Sequence, residues 1–275
     1  MKRIARPLAA IVAIGLAAAC SGPEKKAADG LDAVKAAGKI VLGTSADFPP
    51  YEFHMEEGGQ DTIIGFDIEV AKEIAADLGV TLEVKDMNFD GLLAALDSGS
   101  IDIVVAGMNP TEERKKAVDF TDVYYMAEQT VIVRAADAAT YVSVESLKDA
   151  MIGAQKGATQ VGIAKKKIKG LADEAQPSDQ VKELPKLGDL VLALKNGNID
   201  AVVVESAVAA AYVRANPDLA LAPFTFPDED GGSAIAVKKG NPALLSALNA
   251  TLGRLSASGA VEEYVAGANA LMDRL

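Results

Sequence analysis

From residue 39 onward the chain switches repeatedly between two hydrophobic periods. KIVLGTS (39–45) is a short apolar run rich in β-formers, whereas IGFDIEVAKEIAADLG (64–79) spaces its apolar residues as an amphipathic helix does and stops on Gly79. VTLEVKDM (80–87) reads as a strand, FDGLLAALDSG (89–99) as a helix and IDIVVAG (101–107) as a buried strand. This alternation predicts an α/β fold around a mostly parallel sheet.

One unit of the pattern occurs twice. LLAALDSGSIDIVVAG (92–107) aligns without gaps on LVLALKNGNIDAVVVE (190–205), 98 residues later, with eight identities in sixteen. Leu92/Leu190, Gly99/Gly197, Ile101/Ile199 and Asp102/Asp200 are among them, so each copy is a helix, a glycine turn and a β-branched strand. The period is far too long for a solenoid and predicts two similar α/β lobes. Ligands of open α/β sheets bind beyond the carboxyl ends of the strands. The copied strands end at Gly107 and Glu205, and facing lobes bring both ends to one cleft.

Gly107 opens GMNPTEERKKAVDF (107–120), in which Asn109, Pro110 and Thr111 predict a helix start with Glu112 and Glu113 close behind. Acidic residues belong at that end of a helix, which carries about half a positive charge. Arg114, in the same first turn, does not. Either it pairs with Glu112 or Glu113 on the surface, a contact contributing about 0–1 kcal/mol, or it is aimed at an anion. With Glu205 on the other wall, a cation faces an anion across the cleft, which suits a zwitterion.

Half of the 275 residues are hydrophobic and 24% are charged, a globular composition large enough for one big domain or two lobes. The net charge of −12 and the lack of a basic stripe with interleaved aromatics argue against nucleic acid; KKK at 165–167 is short and reads as a solvated face. The first residues differ in kind. MKR is a basic start, 8–19 is an apolar run shorter than the roughly 20 residues a membrane span needs, and the run ends at Cys20, the only cysteine. This resembles a lipoprotein signal peptide over 1–20, with Ala17 in the place usually held by Leu and Leu16 one residue earlier. Cleavage after Ala17-Ala18-Ala19 is the alternative and leaves a free thiol at the mature end. SGPEKKAADG (21–30) reads as a flexible polar tether. His54, the one histidine, reads as a surface residue; with one His and one Cys there is neither a zinc constellation nor a Ser-His or Cys-His dyad, and no cofactor is expected.

GTSADFPPYEF (43–53), IGFDIEVAKEIAADLG (64–79), FDGLLAALDSGSIDIVVAGMNPTEERKKAVDFTDVYY (89–125), QKGATQ (155–160), GNIDAVVVESAVAAAYV (197–213) and AIAVKKGNP (234–242) follow one another in this order. Together they resemble the family 3 bacterial solute-binding proteins, extracytoplasmic receptors of ABC importers for polar amino acids, over about residues 38–268. The resemblance implies an α/β, two-lobe periplasmic-binding-protein (Venus-flytrap) fold with two hinge crossings. Lobe 1 would comprise 31–132 and 223–275, lobe 2 133–222, with crossings near 130–132 and 223–232. In the family, the arginine at the place of Arg114 makes a bidentate bridge to the ligand α-carboxylate. Asn109, where Ser or Thr is usual, and Thr159 from lobe 2 are implied to assist it. The carbonyl of Gly107 and the carboxylate of Glu205, where Asp is usual, are implied to take the α-ammonium. Phe48 and Phe89, the latter often Trp, are implied to sandwich the side chain, with Tyr51 and Asp47 as second-rank candidates. Ser45 stands where some receptors for basic amino acids carry Asp, which points away from a lysine-type ligand. Asp47, Glu52 and the negative net charge leave a cationic ligand open.

The expectation is therefore a receptor anchored to the membrane through a lipid on Cys20, which captures a polar L-amino acid and delivers it to ABC permease subunits. The main alternative is an enzyme of the prephenate or arogenate dehydratase type on the same fold, with Glu205 and Lys156 moving protons. A sensor that reports the ligand to a membrane partner is the other. No distinctive proton-relay set is present, and no catalytic residue is expected.

Overall fold

The structure is a computed structural model that describes residues 30–272. The expected signal peptide over 1–20, with Cys20, and the expected tether up to residue 29 lie outside the described residues.

Two five-stranded sheets form the two lobes. The first runs edge to edge through Thr81–Asp86, Lys39–Thr44, Ile103–Val104, Ser233–Lys238 and Val118–Tyr125. The second runs through Val181–Leu184, Ile152–Gln155, Ala201–Glu205, Gln129–Arg134 and Leu219–Phe226. In each, the first three strands pair in parallel and the fourth is antiparallel to both neighbours. A smaller antiparallel sheet, Asp47–Phe48, Glu52–Glu57 and Gln60–Ile64, belongs to the first lobe. Gln129–Arg134 and Leu219–Phe226 lie whole in the second sheet. The chain thus changes sheet at 126–128 and 227–232, whereas the sequence placed the crossings near 130–132 and 223–232.

Local chemistry sets the elements. Helix Phe66–Leu78 ends on Gly79, which takes a left-handed φ of 70° and turns its N–H back onto the carbonyls of Ala75 and Ala76. Its buried face, from Phe66 to Ala75, packs with helix Pro242–Ser258 on one side of the first sheet, and Leu92, Leu96, Ile101 and Met108 cover the other. The segment read as one helix at 89–99 divides into a 3-10 turn, Phe89–Gly91, and helix Leu92–Asp97. Phe48, Tyr51 and Phe66 of lobe 1 join one apolar cluster with Leu187, Leu190 and Val208 of lobe 2. Among the described residues no helix is long and apolar enough to cross a membrane.

The duplicated segments occupy equivalent places, the third strand of each sheet and the helix before it. Their shared residues make matching contacts to the neighbouring strand, and Asp200 also pairs with Arg134 at 3.0 Å. The Asp102 carboxylate accepts the Val41 N–H at 2.8 Å, and Asp200 accepts that of Met151 at 2.8 Å. Ile101 and Leu92 close over Gly43, while Ile199 and Leu190 close over Gly153.

Candidate functional site

The segment after Gly107 forms a helix of only four residues, Glu112–Lys115. Its N-cap is Thr111, whose Oγ1 accepts the Arg114 N–H at 3.2 Å; Asn109 is occupied elsewhere. Lys115 pairs with Glu112 at 2.9 Å and Lys116 pairs with Glu113, so neither glutamate engages Arg114. Arg114 turns into the cleft instead. Its Nη1 donates to the Asn109 carbonyl at 2.8 Å, its Nη2 donates across the cleft to the Gly157 carbonyl at 3.0 Å, and its guanidinium carbon lies 5.2 Å from the centre of the Phe89 ring. A guanidinium has five N–H donors, so donors remain for an anion. Burial lowers its pKa to about 10, against the charge of Asp230, and it stays cationic at neutral pH.

Arg114 borders a small cavity lined by Ser45, Phe48, Glu52, Phe89, Gly107 and Asn109 from lobe 1 and by Gln155, Thr159 and Gln160 from lobe 2. Seven of the eight residues expected to bind ligand are thus brought together. Gly107 sits at φ 54° with the Phe48 ring 3.0 Å from where a Cβ would stand, a place only glycine fills without strain. Its N–H donates to Asp67 at 2.9 Å, so the acid in the first turn of helix Phe66–Leu78 fixes the strand end. Thr159 stands at the start of the short helix Gln160–Gly162 and donates its hydroxyl to Asn109 Oδ1 at 3.3 Å.

The eighth residue, Glu205, does not line this cavity. It is buried at the end of its strand, where its carboxylate accepts the Tyr51 hydroxyl. Desolvation raises its pKa to about 8, with the Tyr51 and Gln129 side chains pulling the other way. Tyr51 reaches it from between Phe48 and Phe66, with ring centres 5.2 and 4.3 Å away.

A sequence model of the bacterial extracellular solute-binding proteins, family 3, matches residues 40–266. The chain belongs to this family. The arginine-binding extracellular protein ArtP of Bacillus subtilis is 39% identical over 228 residues, 82% of this chain and 84% of that protein. The ABC transporter glutamine-binding protein GlnH of Bacillus subtilis is 34% identical over 275 residues, 96% of each chain. The crystal structure of the amino acid ABC transporter substrate-binding protein AbpA from Streptococcus pneumoniae, bound to L-arginine, has a TM-score of 0.79 and 40% identity over 86% of this chain and 97% of that one. Family membership makes this chain a solute-binding protein of the two-lobe fold and sets aside the enzyme reading; Lys156, cast there as a proton carrier, is paired with Asp90 at 2.8 Å.

Two further acids of this solute-binding protein bear on the cleft. Glu52 lines the cavity fully buried, with its carboxyl group beside the Asp67 carboxylate and the Thr44 hydroxyl. Desolvation and then the neighbouring Asp67 carboxylate hold its pKa well above the usual range. Asp47 joins the lobes: its carboxylate accepts the N–H groups of Leu187 and Gly188, at the start of lobe-2 helix Leu187–Lys195, and its carbonyl accepts the Tyr212 hydroxyl at 2.9 Å. Lys186 pairs with Asp86 across the same boundary at 3.1 Å.

Proposed function

We propose that this solute-binding protein captures L-arginine outside the cytoplasmic membrane and delivers it to the permease of an ABC importer, held at the membrane by a lipid on Cys20. The α-carboxylate is taken by Arg114 and Thr159, the α-ammonium by the Gly107 carbonyl and by Glu205 once Tyr51, which covers it, gives way, and the side chain passes Phe48 and Phe89 with its guanidinium against Glu52. A ligand that touches both lobes favours the closed arrangement through contacts the open one cannot make.

Glu52 carries the arginine reading. A carboxyl group buried beside a second carboxylate is favoured in its charged form by any cation that reaches it. A guanidinium is the best geometric match, because its planar fork meets both carboxylate oxygens at once. The names of ArtP and of arginine-bound AbpA support this ligand class. GlnH supports glutamine as the second reading, and the amides of Gln155 and Gln160 on the cavity wall are what favour it.

Calorimetry with arginine, lysine and glutamine on the wild type and on Glu52→Gln separates the two. Arginine is expected to bind the wild type tightest. The substitution removes a charge-assisted bond of about 1.5–3 kcal/mol and weakens arginine roughly 10- to 150-fold, while glutamine changes by less than about threefold. Wild type that prefers glutamine, or Glu52→Gln that keeps full arginine affinity, overturns the assignment.

A further inference from the structure

Asn109 is 3% exposed, and its side chain faces the hinge. Nδ2 donates to the Gly232 carbonyl at 3.1 Å and to Asp228 Oδ2 at 3.2 Å, both in the second crossing. Oδ1 accepts the hydroxyl of Thr159 in lobe 2 at 3.3 Å, and the main-chain carbonyl accepts Arg114 Nη1 at 2.8 Å. The amide can point only one way: the carbonyl of Gly232 and the carboxylate of Asp228 accept, and the threonine hydroxyl can donate.

The piece of chain that Asn109 grips is itself tightly built. Asp228 accepts the Gly232 N–H at 2.7 Å and the Asp230 N–H at 3.1 Å, which draws 228–232 into a closed loop. Gly232 lies at φ 90°, and a Cβ there would fall 2.5 Å from the Tyr125 carbonyl oxygen. The returning crossing is therefore pressed against the outgoing one at Tyr125. Asn109 touches this junction, the arginine clamp and lobe 2 at the same time.

We propose that Asn109 is a positioning residue that couples carboxylate capture to hinge closure. Its two N–H donors hold the second crossing while its oxygen holds Thr159 in the closed arrangement. A serine or threonine hydroxyl has a single donor and cannot serve both Gly232 and Asp228. An amide at this place therefore adds a link from binding site to hinge. Asn109 sets how long the lobes stay shut rather than which side chain they enclose. The proposal rests on the receptor reading.

The test compares wild type, Asn109→Ser and Asn109→Asp. Ligand association and dissociation are followed by surface plasmon resonance with arginine, lysine and glutamine, and amide hydrogen exchange is followed across 226–232 without ligand. Asn109→Ser is expected to raise the dissociation rate of every ligand by a common factor, roughly tenfold for the lost donor. It should also speed exchange at Asp230 and Gly232 while leaving the rank order intact. Asn109→Asp, which sets a carboxylate against Asp228, should exceed it; where that variant does not fold, Asn109→Ser decides alone. Unchanged exchange at 228–232 overturns the proposal. So does a changed rank order, which makes Asn109 an ordinary pocket residue. Wild type that binds no amino acid, with exchange still accelerated in Asn109→Ser, defeats the receptor reading and leaves the hinge assignment standing.

Discussion

The helix–turn–strand unit at 92–107 and its copy at 190–205 share one scaffold, although the first has the shorter helix, Leu92–Asp97 against Leu187–Lys195, and the shorter strand, Ile103–Val104 against Ala201–Glu205. Leu92 and Ile101 cover Gly43 as Leu190 and Ile199 cover Gly153, and Asp102 and Asp200 hold the neighbouring strand alike. Then one strand ends in Gly107 at the wall of the cavity, and the other in Glu205 beneath Tyr51. The repeated residues make the scaffold, and of the unlike ends only Gly107 reaches the cavity.

The strongest way to break that comparison is Arg114→Ala, which removes the cation that follows the Gly107 end. With two charge-assisted bonds lost at about 1.5–3 kcal/mol each, affinity should fall by roughly 10²- to 10⁴-fold for every amino acid bound, with little change in Tm. Normal binding in calorimetry refutes the clamp. Next come Gly43→Ala and Gly153→Ala, whose new methyl groups would stand 2.3 and 2.6 Å from the isoleucine Cδ1 atoms above them. Overpacking of this kind costs about 1–3 kcal/mol. Equivalent copies should lose similar stability in urea unfolding and keep ligand selectivity. Losses that differ severalfold show that the two units are not built alike.

The smallest effect is the most discriminating. Glu205 keeps its proton up to about pH 8 in the folded protein, whereas the unfolded chain releases it near the ordinary value of about 4.3. Its stabilisation is therefore complete below the unfolded pKa and lost as pH rises toward 8. An α-ammonium that takes the place of the Tyr51 hydroxyl against Glu205 displaces that proton, so ligand affinity runs the other way and rises across pH 6 to 8, by at most about tenfold per unit. Thermal scans and calorimetry over that range should show opposed slopes, and Glu205→Gln should flatten both. Unaltered slopes place the ammonium elsewhere.

What was legible in the sequence follows the range of the forces involved. Helix Phe66–Leu78 with its Gly79 cap, the buried strand at 201–205 and the two-lobe duplication are set by local periodicity and could be read directly. Arg114 stood out as a candidate because it contradicts the electrostatics of its own helix end. Glu52 was left among general acidic features, since EFHMEE has the look of a surface strand and its burial depends on how the small sheet folds over the cleft. Asn109 looked like a helix cap; Thr111 took that role, and the amide went to a loop 119 residues away. Asp47 likewise caps a helix in the other lobe, 140 residues on. These contacts exist only once the lobes have met, and no local pattern encodes that meeting.

The return of the chain to lobe 1 after lobe 2 has a consequence for how the protein comes into being. Lobe 2 is one uninterrupted stretch from Gln129 to Phe226. The first sheet instead takes Ser233–Lys238 into its interior, between Ile103–Val104 and Val118–Tyr125, and needs helix Pro242–Ser258 to cover one face. A chain emerging from its N-terminus can complete lobe 2 while lobe 1 still lacks a central strand, and pairing across so long a separation is slow. The lobe that begins first in synthesis is the one that must wait for nearly the whole polypeptide before it can close.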